Sequence, residues 1–135
     1  MRQRHGILST GLIVGVLWGV WHFLVAFWVI SGTTSEALSI GIFLPALVFY
    51  AGSLPAYRVL MVWAYDRTGE SMLLAMLMHA TFSASMIILE PLGLAVVPDL
   101  TWALVLAAAL WVVVGVVAVA NGGHLSRQPL RGRVV

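Results

Sequence analysis

The chain has 135 residues, of which 61% are hydrophobic and 9% charged, and its net charge is +2. A soluble domain carries about a quarter charged residues, so this composition excludes a water-facing surface over most of the molecule and points to lipid as the solvent. The absence of cysteine excludes a disulfide framework and a thiolate metal site, and so small a net charge gives no footing for a nucleic-acid partner.

The first apolar stretch, from about Ile7 to Ile30, contains no formally charged residue. It exceeds the roughly 20 residues that cross the hydrocarbon of a bilayer, which predicts a transmembrane helix. It is too long for the apolar region of a secretory signal, and no small-residue cleavage pattern follows it. Residues Ser31 to Glu36 read as a polar loop. The next stretch, Ala37 to Tyr65, is apolar but interrupted by Pro45, Gly52-Ser53 and Pro55, and it carries Arg58. Proline removes a backbone donor and clashes with the preceding turn. A bent or two-piece element is expected, with a helix from Leu54 to Tyr65; whether Ala37 to Tyr50 forms a separate interfacial or re-entrant helix is left open by the pattern.

Asp66-Arg67-Thr68-Gly69-Glu70 reads as a loop, after which Ser71 caps a helix running to about Leu89. Glu90-Pro91 and Pro98-Asp99 bracket a turn. The last span is Leu100 to Ala120, ended by the helix-terminating run Asn121-Gly122-Gly123. Residues 124–135 form an Arg-rich tail expected to be flexible. The fold class is therefore all-α: a polytopic transmembrane helix bundle of about four spans, one bent or broken, in a single membrane domain over residues 1–135.

Arginine sets the expected orientation. Arg2 and Arg4 precede the first span, Arg67 lies in the central loop, and Arg127, Arg131 and Arg133 follow the last span, whereas the two alternate loops carry none. An even number of crossings in the cell membrane, with both termini and the central loop cytoplasmic, satisfies the positive-inside rule throughout.

Within the spans, polar residues fall on small-residue faces. Gly11, Gly15 and Gly19 recur at i, i+4, i+8, a spacing that lets helices approach closely in lipid and that by itself means packing. Trp18 and His22 lie beside that stripe. Ser71, Ala75, His79 and Ser83 form a second row at helical spacing. Polar side chains are costly in hydrocarbon and face the bundle interior. One such histidine usually bonds a neighbouring carbonyl; two, each on a small-residue face, point equally to a shared internal site. Counting residues from the arginine-bearing ends puts the two histidines about 10 Å apart in depth. Arg58 either snorkels towards the interface or pairs with an acid inside the bundle. Glu36, Glu70, Glu90 and Asp99 read as solvated loop charges, His5 and His124 as end residues, and Trp28, Tyr65 and Trp102 as interface anchors.

Leu17-Trp18-Gly19-Val20-Trp21-His22 resembles the second motif of the CPBP intramembrane proteases, the type II CAAX prenyl endopeptidases and bacteriocin-processing or self-immunity proteins. That motif is written F-x-x-x-H, with Trp18 here in the aromatic place and His22 in the histidine place. The run from Trp63 through Asp66-Arg67-Thr68-Gly69 and Ser71 to His79 and Ser83 is similar to the family's third motif, in which an Asn/Asp-Arg-Thr-Gly turn precedes a helix bearing H-x-x-x-N. The resemblance covers about residues 7 to 90.

The resemblance implies an intramembrane endopeptidase of the CAAX-processing type, with catalytic residues His22, His79 and Ser83. His22 would position a water, and His79 would polarise the substrate carbonyl. Ser83 stands where the family has Asn. A divalent metal such as zinc, held by His22 and His79, is the implied cofactor if there is one. Membrane lipid and a membrane-associated peptide or protein substrate are the implied partners; the oligomeric state is open. The family's E-E-x-x-x-R motif, which supplies the general base, does not occur in the sequence. The chain thus resembles the C-terminal part of a CPBP domain truncated at its N-terminus, and weak or absent proteolysis is expected. Two other readings stand beside this one: a non-catalytic immunity or partner-binding protein with the same fold, and a membrane protein ligating haem through two histidines.

Overall fold

The structure, a computed structural model, describes residues 6–33, 40–89, 99–122 and 125. Among the described residues all regular structure is helical: α1 (Ile7–Thr33), α2 (Ile40–Leu47), a π-helical segment (Val48–Ser53), α3 (Leu54–Arg67), α4 (Met72–Leu89) and α5 (Leu100–Ala120). Three of the resulting continuous elements, Ile7–Trp28 within α1, Ile40–Arg67 and Leu100–Ala120, are long and apolar enough to cross a membrane. Their outer faces carry large apolar side chains such as Leu17, Trp28, Val105, Val116 and Val119, all more than half exposed, a surface that only hydrocarbon solvates. The chain is a membrane protein with an all-α bundle. The fourth element, α4, has 18 residues, about 27 Å of helix.

Prolines explain the bent element. Pro55 stands in the first turn of α3 and has no N–H for the turn before it. The backbone widens there to i→i+5 pairing, and Leu54 donates to the Phe49 carbonyl. The helix therefore stays continuous from Ile40 to Arg67 instead of dividing into two pieces. A polar group at the widened turn finds a partner from another helix: Trp111 Nε1 on α5 donates to the Gly52 carbonyl at 3.0 Å, as backbone in hydrocarbon must be satisfied within the protein.

The glycine stripe is a packing face. A Cβ on Gly11 would lie 2.7 Å from Val59 Cα, one on Gly15 would lie 2.6 Å from Pro55 Cα, and one on Gly19 would run into the Tyr50 carbonyl. Rising positions on α1 meet falling positions on the bent element, so the two run antiparallel in near backbone contact. Ile7, Ala56, Val59, Val114 and Leu125 form one buried cluster. Arg67 donates to Asn121 Oδ1, and Asn121 Nδ2 donates to the Val117 carbonyl at 2.6 Å. The start of α1, the end of α3 and the end of α5 thus share one end of the bundle. A second cluster joins Phe49 and Leu54 to Ala103 near the start of α5.

Two boundaries differ from the sequence reading. Helix α1 continues to Thr33, past Ile30. Asp66 and Arg67 belong to the last turn of α3, and Asp66 is only 4% exposed. The turn begins at Thr68, whose N–H and hydroxyl both donate to the Ala64 carbonyl, and it reverses through positive φ at Gly69 and Glu70. Ser71 caps α4 as expected, its Oγ accepting from Leu74 N at 3.4 Å. Asp99 likewise caps α5, accepting from Thr101 N at 2.7 Å. The remainder of the expected 31–36 loop, the turn through Glu90, His5, and the tail apart from Leu125 lie outside the described residues.

Candidate functional site

The polar residues of the spans gather around Trp18. The His22 ring stands edge-on to the Trp18 indole, with centroids 5.1 Å apart, and the His79 ring from α4 lies 5.4 Å from the same indole. The Arg58 guanidinium from α3 covers the Trp18 ring at 5.5 Å. Tyr50, on the π-helical segment, stacks towards His22 at 6.5 Å. Three helices therefore each place one polar residue against a single indole, and the π turn adds Tyr50 beside His22.

The local geometry fixes how His22 presents its nitrogens. Its Nδ1 is 3.0 Å from the Trp18 carbonyl, one turn back on the same helix. A carbonyl only accepts, so Nδ1 carries the proton and Nε2 of the neutral ring offers a lone pair. His79 makes no ring contact or hydrogen bond beyond Trp18 and is exposed on α4. The two imidazoles meet at the indole rather than at each other. Trp18 lies one turn nearer the arginine-bearing end than His22, which takes up much of the depth offset expected from residue counting. Ser83, one turn beyond His79, is also exposed and hydrogen-bonds neither histidine.

Helix α4 reaches this position through α3. Tyr57 donates its hydroxyl to the Met78 carbonyl at 2.6 Å, and its ring stacks on Phe82 at 4.3 Å. Helices α1 and α4 both pack chiefly against the bent element, and they touch each other through Trp18 and His79. Tyr57→Phe is expected to lower stability by about 1 kcal/mol, the net worth of one hydrogen bond, and to loosen α4 selectively. Hydrogen exchange should quicken in Met72–Leu89 and stay unchanged in α5; equal protection of Met72–Leu89 in the variant and the parent chain would count against the tether.

Among the described residues no group of three or more His, Cys, Asp or Glu side chains could hold a metal ion. Catalytic zinc takes three protein ligands and a water, so His22 and His79 do not by themselves fit a resident metal. The chemistry open to the described residues is that of two imidazoles, a guanidinium and water. A separate groove of about 100 Å³ lies on the other flank of α1, lined chiefly by Val16, Gly19, Val20, Phe23, Leu47 and Tyr50. It holds no titratable side chain other than Tyr50.

Three features escape a reading of the sequence. Arg58 pairs with neither of its expected alternatives; it sits over Trp18 and reaches Met61 Sδ at 3.7 Å. Its spacing from Pro55, which faces Gly15, was the available signal. Asp66 is buried although it adjoins a turn. Ser53 is fully buried, with its Oγ unbonded, and nothing in its sequence context marks it. No protein-family model, no curated protein and no solved structure matches the chain.

Proposed function

We propose that the chain is the two-histidine core of a CPBP-type intramembrane endopeptidase. The observation that supports this reading is the meeting of His22 and His79, from two separate motif-like segments, at Trp18, which is itself the aromatic residue of the first motif. In this reading the Nε2 lone pair of His22 takes a proton from water as the water attacks a peptide carbonyl. His79 donates a hydrogen bond to the developing oxyanion, with the Ser83 hydroxyl one turn away as a second donor. The substrate is a membrane-associated peptide or protein. The protein sits in the cell membrane with its arginine-bearing end cytoplasmic. With imidazole as the base in reach among the described residues, slow turnover is expected.

Cleavage of a fluorogenic prenylated CAAX peptide by the protein in lipid nanodiscs tests this. His22→Ala and His79→Ala should each lower kcat/KM by about 10²-fold or more. Cleavage that is undiminished in both variants would sink the proposal.

A second reading is favoured by one observation: no carboxylate among the described residues contacts either histidine. The same scaffold would then bind a membrane partner without hydrolysing it. That reading expects both alanine variants to keep partner capture and cellular phenotype intact.

A further inference from the structure

We infer that the polar cluster around Trp18, where α1, α3 and α4 meet, binds an oxyanion carried on an acyl chain, with Arg58 as its counter-charge. Arg58 lies well inside a membrane-crossing element, about 13 Å along α3 from Arg67. A guanidinium stays protonated in proteins. Charges within a span are expensive, and they pair with an opposite charge or line a cavity. Arg58 does not pair with an acid among the described residues. Its Nη1 reaches only the thioether of Met61 at 3.7 Å, its Nε is buried without a partner, and its planar face rests on Trp18. Nη2 makes no hydrogen bond and, unlike Nε, is not sealed from its surroundings. A soft sulfur and a ring face offset part of the desolvation cost and leave the charge without an anion.

The surroundings specify what kind of anion fits. His22 and His79 flank the same indole, and both can donate to an oxyanion when protonated. The flanks of this cluster are apolar. Trp21 and Val25 share the Trp18 side of α1, and Met72 and Met76 share the His79 side of α4; all four are exposed. A carboxylate or phosphate head would meet Arg58 bidentately, while its chain lies along these flanks in the plane of the acyl layer. The inference does not rest on peptide hydrolysis: it stands or falls by binding alone.

The test uses the full chain in phosphatidylcholine nanodiscs with brominated stearate as the probe, read by quenching of tryptophan fluorescence. Saturable quenching is expected, lost in large part in Trp18→Phe. Arg58→Gln should weaken the apparent Kd about tenfold or more, and Arg58→Lys should restore part of that loss. The methyl ester of the same probe should not saturate. Displacement by phosphatidylglycerol, with no displacement by inorganic phosphate, would assign the head to a lipid-borne anion. Displacement by inorganic phosphate alone would overturn the acyl requirement. Equal affinity in Arg58→Gln with an unchanged near-UV circular dichroism spectrum, or equal binding of the ester, would overturn the inference outright.

Discussion

Gly15→Leu is expected to destabilise the bundle by about 3 kcal/mol, the upper end of the range for overpacking. A Cβ at this position already falls 2.6 Å from Pro55 Cα and 3.1 Å from Arg58 Cβ. Neither neighbour yields easily. Pro55 has a fixed φ and stands at the junction of the π-helical turn with α3. The helices must separate, which forfeits the dispersion contacts that hold helices together in lipid. Gly115→Ala is the control, because a Cβ there meets nothing within 4 Å. That change should be neutral or stabilising, since alanine is the better helix former by about 1 kcal/mol. Unfolding in mixed dodecylmaltoside–SDS micelles measures both. Matching midpoints for Gly15→Leu and the parent chain would refute close α1–α3 packing.

Trp18→Ala should have the largest effect on the polar cluster. The indole touches His22, His79 and Arg58, and no direct ring contact between the histidines takes its place. Its removal should cost about 2 kcal/mol, less than for a fully buried tryptophan, and should free His79 from α1. Peptide cleavage should fall as far as in the histidine variants, whereas Trp18→Phe, which keeps a ring face, should retain most of it. Spin labels at the exposed positions Leu17 and Ala80 give an independent readout. Their distance distribution should broaden in Trp18→Ala. An unchanged distribution with full activity would show that the indole does not organise the site.

What could be read from the sequence was whatever depends on local rules. The limits of α5 follow from an apolar run closed by Asp99 and by Asn121-Gly122, and the structure places them at Leu100 and Ala120. Ser71 announced the start of α4. The spacing of Gly11, Gly15 and Gly19 announced a packing face, although not which helix it meets. The pattern around Pro45 and Pro55 announced an interruption. It could not distinguish a break from a widened turn, because that outcome depends on neighbours such as Trp111 donating across to Gly52. Asp66 was misread because a turn motif looks solvated in one dimension, whereas the last turn of α3 folds it inward. The site was legible as Trp18, the two histidines and Ser83, without Arg58 or the way they meet. Arg58 and Trp18 come together through helix crossing, and no residue spacing along a single chain segment encodes that.

Helix α4 is held chiefly by α3, through the Tyr57 hydroxyl and the Tyr57–Phe82 ring pair, with His79 against Trp18 as its touch on α1. The packing of α1 and α5 on the bent helix does not run through those contacts. Loss of that aromatic pair would therefore be felt first in α4, with α1 and α5 left packed on the bent helix. How closely α4 holds His79 to Trp18 is thereby set by a phenol and a phenyl ring lying outside the histidine cluster.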